Sequence, residues 1–501
     1  MNNEFQVSLI SPYSDLTNIG LRSISMLLRN AGYRTQMIFL PTPSSELPLN
    51  TSPYFVIDYP EHIIRQLADI TKDSQIIGIS LMDNYMQIGI KLTQALKKES
   101  NLLLWGGVFP SMDPESALHY ADAVCIGEGE DAMLELVRKM DTGQDINTIP
   151  NIWIKGETRP ESKYITDISA LPLPDYGPEG HFVYSEKEQM LASLEACDEY
   201  ENYIFSKHRT DAGLVTVYHM ETTRGCPHNC TYCGNNILKK IISSRIRKKD
   251  VGQIKKELLW VKEKFPSINS VCIEDDCFIY RKNINEIVNF FKDQEFSFKC
   301  LISPQQFSEE KLDYLVENGL MICQIGLQSK APRIEEMYNR VGVNKNCDKL
   351  FRYLKKHSDI PIIVDILVNN PWERTEDTLY TLNYLIDNMP PKAILGINSL
   401  VFYRGTKLYE NAKQDGLLET NYLLKTWHWH RQKIIHYITL LFVLLNLRFP
   451  RTLIRFFAAK PFIFFFERDL FARNIFPWII TAIKKTFSLF TANMFRKERF
   501  K

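Results

Sequence analysis

Twice along this chain, short apolar runs alternate with amphipathic stretches, and few folds accommodate that rhythm. In residues 5–140 the candidate strands are Val7–Ile10, Thr35–Leu40, Ile76–Ser80, Leu102–Trp105 and Ala123–Ile126, with helical patterns such as Gly20–Asn30 and Gln87–Lys97 between them. This alternation predicts a doubly wound, Rossmann-like parallel sheet, an α/β fold. Residues 215–415 resume it, with strands at Val215–Glu221, Ser270–Glu274, Phe298–Ile302, Ile322–Gly326, Ile362–Val368 and Ala393–Leu400. Helical patterns lie between, as at Val251–Lys264, Ile284–Asp293 and Glu309–Asn318. Six such units predict a complete or partial parallel α/β barrel, with its chemistry at the carboxyl ends of the strands.

A chain of 501 residues is long enough for several domains. The patterning divides it into a first α/β domain at 1–140, a connector at 141–214, the barrel at 215–420 and a mainly helical carboxyl-terminal region at 421–501. Pro172, Pro174, Gly177 and Pro178 punctuate the connector, and its polar stretch from Ser185 to Asp211 reads as helical. The net charge is +1, which gives no global pull toward nucleic acid. It is unevenly spread: residues 431–501 hold 14 Lys/Arg against 3 Asp/Glu. This basic, apolar tail fits helices lying in a membrane interface, and equally a helical cap that completes a substrate pocket. Its apolar run, Ile434–Leu447, is short of the roughly 20 residues of a spanning helix. His428 and His430 flank Trp429, where packing or polar roles compete with catalysis. The start, MNNEFQVSLISP, lacks the order of a secretory signal, so the expected location is cytoplasmic, with membrane association through the tail as the variant.

Three of the ten cysteines crowd into eight residues just after the first barrel strand: Cys226-Pro-His-Asn-Cys230-Thr-Tyr-Cys233. In a reducing compartment such spacing favours metal over disulfides. Thiolates suit an iron–sulfur cluster or zinc. Three ligands on one loop hold three corners of a cubic 4Fe–4S cluster and leave the fourth iron open for a substrate. Structural zinc wants four ligands, and His228 lies in the loop, but no second ligand pair follows at zinc-ribbon spacing. Isolated cysteines such as Cys125 and Cys323 sit in apolar runs and read as core residues.

The triplet, with Tyr232 before its last cysteine and Gly234 after it, resembles the signature of the radical S-adenosylmethionine superfamily. The resemblance implies that Cys226, Cys230 and Cys233 hold the cluster. Its open iron would chelate the methionine moiety, and one electron would cleave a C–S bond to give a 5′-deoxyadenosyl radical. Cys272-Ile-Glu274-Asp275-Asp276-Cys-Phe278 is similar to the family stretch that holds the methionine ammonium; a solvated acidic loop is the plainer alternative. Ile325-Gly-Leu-Gln328-Ser329 with Met337-Tyr-Asn-Arg340 resembles the ribose-contacting stretch, with Gln328 where many relatives carry Glu. Ser303, past a strand end, is a further candidate cofactor contact. Asn370-Pro-Trp-Glu-Arg-Thr375 looks like the family's structural proline turn.

In the first domain, Ser80-Leu81, Gly106-Gly107 and Gly127-Glu128-Gly129 follow strands. Each alone is ordinary turn chemistry. In this order they resemble the cobalamin-binding domain of one large subclass, which implies that Ser80, Gly106 and Gly107 line the nucleotide groove, with Leu81 beside them, and that 127–130 lies near the corrin. An Asp-x-His-x-x-Gly loop, which supplies an axial His in many cobalamin proteins, is not found after the second strand, where Pro41–Glu46 carries no His. The resemblance implies three cofactors, namely the 4Fe–4S cluster, S-adenosylmethionine and cobalamin, and an electron donor such as flavodoxin or ferredoxin. The expected activity is methyl transfer to an unactivated carbon, with cyclisation or other carbon-skeleton chemistry as the alternative. A non-catalytic cobalamin or cluster sensor docked by its tail is the reading from another class. No motif tells a small-molecule substrate from a peptide or lipid.

Overall fold

Two sheets carry the architecture of the computed structural model, which describes residues 5–13, 16–41, 59–185, 187–197, 200–210, 213–357, 360–418 and 435–466. They belong to two compact units, drawn from residues 1–205, 232–250 and 402–428, and from 206–231, 251–401 and 429–501.

The first sheet has eight strands: β1 (Gln6–Ser11), β2 (Arg34–Phe39), β3 (Ile76–Ser80), β4 (Leu102–Gly106), β5 (Ala123–Cys125), β6 (Ile152–Ile154), β7 (Phe182–Ser185) and β8 (Met190–Ser193). Their order is β6-β5-β4-β3-β1-β2-β7-β8. The strands from β4 across to β2 run parallel. Apolar cores lie on both sides, one around Ile77, Leu92 and Trp105, the other around Val7, Leu28 and Leu136. Burial on both faces explains why these strands read as unbroken apolar runs. The winding reverses at β1, which pairs with β2 on one side and β3 on the other. In doubly wound sheets that switch point opens a crevice at the carboxyl ends of the strands.

The stretch read as a connector contributes β6, β7 and β8 to this sheet. These strands have only three or four residues each, too few for a period-two pattern to emerge between the prolines. The polar stretch expected to be helical holds β8 and, among its described residues, only one short α-helical segment, Glu201–Ile204.

The second sheet has seven strands: β9 (Ser206–Thr210), β10 (Gly213–Met220), β11 (Ser270–Ile273), β12 (Ser297–Leu301), β13 (Leu320–Gln328), β14 (Ile362–Val368) and β15 (Ala393–Ser399), adjacent in that order. Strands β10 to β15 are parallel, and β9 is an antiparallel edge. The sheet curls into a half-barrel. One face is packed: Phe298, Cys300, Cys323, Val364 and Phe291 of helix Ile284–Asp293 are fully buried. The alternate residues on the other face are half-buried or exposed.

The helix Ile435–Asn446 closes the open edge at β15. The Asn446 side chain accepts from Leu395 N at 2.6 Å and donates to Leu395 O at 2.9 Å, as a neighbouring strand would. Its Ile438, Leu441 and Phe442 are buried, so the apolar run beginning at Ile434 is a packing helix of this unit, with Ile434 itself outside the described residues. No helix among the described residues is long and apolar enough to cross a membrane. Most of the Pro41–Glu46 loop, His428–His430 and residues 467–501 lie outside the described residues.

Candidate active site

The cysteine loop leaves β10 and is braced at its root by a buried carboxylate. Asp275, just past the end of β11, accepts from Thr222 N at 2.6 Å and Thr223 N at 2.9 Å through one oxygen, and from the Thr222 hydroxyl through the other. Burial pushes this carboxyl up to about 6, and the Thr222 and Thr223 hydrogen bonds pull against the rise. The Cys277 thiol adds a contact of 3.3 Å to Gly225 O. Asp275, expected to meet the methionine ammonium, is thus engaged internally. Glu274 and Asp276 are the exposed carboxylates of that turn.

Farther along the loop, Thr231 N donates to Tyr338 O at 3.1 Å and Thr231 Oγ1 to Met337 O at 2.6 Å. Asn339, at φ 54°, donates to Asn229 O at 3.0 Å. The Arg340 guanidinium donates to Cys230 Sγ at 3.4 Å and also holds Gly326 O. The 337–340 stretch, read as a ribose contact, therefore pins the loop. A guanidinium there gives the sulfur of a candidate ligand a charge-assisted donor.

Cys226, Cys230 and Cys233 form no disulfide, and Cys226 and Cys233 are half-exposed. Tyr232 is half-buried between two of them in sequence. His228 is held by the Tyr280 hydroxyl at 3.0 Å and lies 3.4 Å from Ser303 Oγ, so its Nε2 is committed away from a zinc-like fourth ligand. The donor set of three soft thiols and one adjacent cation fits a cubic cluster with an open iron. Ser303 joins this network rather than standing alone, also meeting Tyr280 at 3.3 Å. Gln328 ends β13 in a left-handed conformation, φ 67°, at a bulge. Its amide lies 3.1 Å from where a Cβ on Gly326 would be, so glycine there makes room for it.

The first unit gathers its candidates at the crevice end of β3, β4 and β5. Ser80 Oγ lies 3.3 Å from the Tyr13 hydroxyl, which accepts from Asn18 at 3.3 Å. Gly107 has φ 99°, and a Cβ on it would stand 2.8 Å from Leu81 O. Leu81 is fully buried, with its N–H donating to Gly106 O and its carbonyl accepting from Phe109 N. It ties two strand tips together instead of lining a groove. Ser111, which no motif singled out, donates to Gly107 O at 2.7 Å and accepts from Gly127 N at 2.9 Å, coupling the two glycine turns. Gly127 is left-handed, and Gly129 precedes the helix Glu130–Asp141. Glu128 turns inward: its carboxylate takes Arg247 at 2.7 Å and Ile165 N at 2.7 Å. Beside the glycines, Met82 and Val108 are 44% and 39% exposed. Uncovered backbone flanked by exposed apolar side chains fits the flat, largely apolar body of a corrinoid. Asp83, next to Met82, is pushed up to about 7 by burial and by Asp113, against Arg404.

The Asp-x-His-x-x-Gly spacing has a counterpart at the exit of β1 rather than β2: Asp15-Leu-Thr17-Asn-Ile-Gly20, with Thr17 at the His position. Asn18 of this run caps the helix Ile19–Asn30.

Two known protein families match parts of this chain. Residues 6–137 match the B12 binding domain family, and residues 220–384 match the Radical SAM superfamily. An uncharacterized methyltransferase of Pyrococcus horikoshii is 24% identical over 373 residues, spanning 71% of this chain and 73% of its own. The bacteriochlorophyllide d C-8(2)-methyltransferase of Chlorobaculum tepidum is 19% identical over 398 residues, 77% of this chain and 78% of its own. Among solved structures, the radical S-adenosylmethionine methyltransferase TsrM from Kitasatospora setae, with cobalamin and a 4Fe–4S cluster bound, superposes with a TM-score of 0.62 at 14% identity, covering 84% of this chain and 80% of that one.

Proposed function

This chain belongs to the radical S-adenosylmethionine superfamily, in the subclass with an amino-terminal B12-binding domain, and on that premise we propose that it methylates an unactivated carbon of a biosynthetic intermediate. The observation that carries the reading is one chain holding both the open three-thiolate loop, with Arg340 on Cys230, and the glycine-lined crevice at β3–β5. When bound, the cluster supplies the electron that cleaves S-adenosylmethionine, and the corrinoid carries the methyl group. The chain's own residues position these groups. Asp275 and Cys277 fix the root of the cysteine loop, and Thr231, Asn339 and Arg340 fix its far side. Exposed Glu274, whose Oε1 faces His219 and Cys272 and which offers its Oε2, and exposed Asp276, with Gln328 at the bulge, are the groups proposed to meet the methionine ammonium and the ribose.

The substrate is a small molecule, peptide or lipid, and a small electron-transfer protein of the flavodoxin or ferredoxin kind is the proposed reductant. Membrane contact is proposed through Phe456, Phe464 and Phe465, which are 57%, 68% and 53% exposed and belong to the basic region 431–501. Flotation with anionic vesicles tests it; protein that stays at the bottom of the gradient removes this part. For the main reading, reduced, reconstituted protein is incubated with methyl-deuterated S-adenosylmethionine and extracts of candidate intermediates. A product that gains the labelled methyl group supports it. Deoxyadenosine without any methylated product points to non-methylating radical chemistry instead.

A further inference from the structure

The face of the second sheet opposite its helices has a graded chemistry. Near the amino ends of the strands it is apolar: Val215, Val217 and Cys272 cluster with Met321. Toward the carboxyl ends it turns polar. Strand register places His219, Cys272 and Lys299 side by side on β10, β11 and β12. Farther across, Gly326, Asp365 and Gly396 are side by side on β13, β14 and β15. Residues in register on neighbouring parallel strands share a face, so these groups look into one trough.

The acids of this trough already have donors. Glu274 Oε1 lies 2.5 Å from His219 Nδ1 and takes the Cys272 thiol at 3.2 Å. Asp365 takes the Gln324 amide at 2.7 Å and leans over Gly396, where a Cβ would collide with it. Lys299 differs. Its neighbours Phe298 and Cys300 are sealed on the helix side, while Lys299 stands half-buried on the open side. Its charge is felt by both Glu274 and Asp365, yet among the described residues it has no hydrogen bond or ion pair within 4 Å. An ammonium with three unfilled donors, in a trough whose acids Glu274 and Asp365 already accept hydrogen bonds, is open to an anionic partner.

We propose that Lys299 is a specificity-determining residue that takes an anionic group, carboxylate or phosphate, of the substrate. This rests on the methyltransferase reading for what the trough is for, but its test does not. The matched acids on either side would hold the ammonium upright and repel a misplaced anion, so the group would bind end-on to Lys299 alone.

The experiment is competitive reductive methylation of the intact, cluster-loaded protein with labelled formaldehyde, read by peptide mass spectrometry at Lys299 and at the exposed Lys256. Inorganic phosphate and succinate are the two probes, each against chloride at equal ionic strength. At ten times its Kd a probe leaves roughly a tenth of sites open, so Lys299 labelling should fall about tenfold while Lys256 is unchanged. Protection by phosphate only, succinate only or both supports the proposal and names the anion class. Equal labelling in all three salts overturns it, as does a Lys299 that chloride-treated protein cannot label. Cyanoborohydride supplies the hydride that reduces the lysine imine, and the assay needs neither a reduced cluster nor turnover, so it fails independently of deoxyadenosine formation.

Discussion

Asp275 and Thr222 lie on neighbouring parallel strand ends, and one carboxylate fixes both the backbone and the side chain of that threonine. The cysteine loop begins four residues later, so this contact sets where the metal ligands start. Asp275→Ala strands two buried backbone N–H groups and should cost about 2–5 kcal/mol, with cluster loading falling in step. Asp275→Asn keeps the acceptor for both N–H groups and can donate to the Thr222 hydroxyl, so it should fold and load normally.

The same pair gives a pH signature. The folded carboxyl lies at about 6 against an ordinary 3.8, with burial the leading cause. Between about pH 4 and 6 the folded chain keeps a proton that the unfolded chain has lost, so this group's contribution to stability falls as pH rises. Chemical denaturation should show wild type losing on the order of 2–3 kcal/mol across that window relative to Asp275→Asn. Parallel curves for the two proteins would contradict the assignment.

Much of this was legible. All six parallel barrel strands and the five parallel strands read in the first domain stand within one or two residues of the sequence reading: burial on both faces writes the first domain's strands as apolar runs, and the one packed face of the barrel sheet leaves enough apolar residues to mark its strands. The thiolate spacing is likewise local, and the sequence carries it whole. What the sequence hid is non-local. Ser111 couples two glycine turns only because β4 and β5 are neighbours, and Asn446 replaces a strand partner for Leu395, 51 residues away. Glu128 and Asp275 looked like ligand contacts because both are acidic and follow glycine or strand ends. Their partners, Arg247 and the Thr222–Thr223 backbone, are brought by the fold. Lys299 sits in a strand whose alternation marks its face, but nothing local shows that it is unmatched.

Arg340 makes the cluster's ligand field testable without removing a ligand. Its guanidinium donates to Cys230 Sγ at 3.4 Å. Hydrogen bonds and positive charge at a cluster sulfur raise its reduction potential, so Arg340→Met should lower it by on the order of tens of millivolts with iron content retained. Arg340→Lys keeps the charge and should fall between the two. Redox titration followed by electron paramagnetic resonance reads this directly, and an unchanged potential in the methionine variant would refute the contact's role.

Gly107 is the sharpest probe of the first unit. Its φ is 99°, and an added Cβ would stand 2.8 Å from Leu81 O, so alanine must displace the tips of β3 and β4. A backbone forced there costs about 1–3 kcal/mol. Gly107→Ala should lower corrinoid content severalfold, read by visible absorbance, and leave iron and sulfide content at the wild-type level. Loss of both cofactors together would show that the glycine serves folding alone.

The most direct test of radical chemistry at the cysteine loop is an anaerobic reconstitution with iron and sulfide, followed by reduction in the presence of S-adenosylmethionine. The expected result is a cubic cluster whose resonance changes when S-adenosylmethionine is added, and 5′-deoxyadenosine that disappears when any one of Cys226, Cys230 or Cys233 is replaced by alanine. A protein that takes up a single zinc ion in this loop, or a cluster indifferent to S-adenosylmethionine, would contradict it.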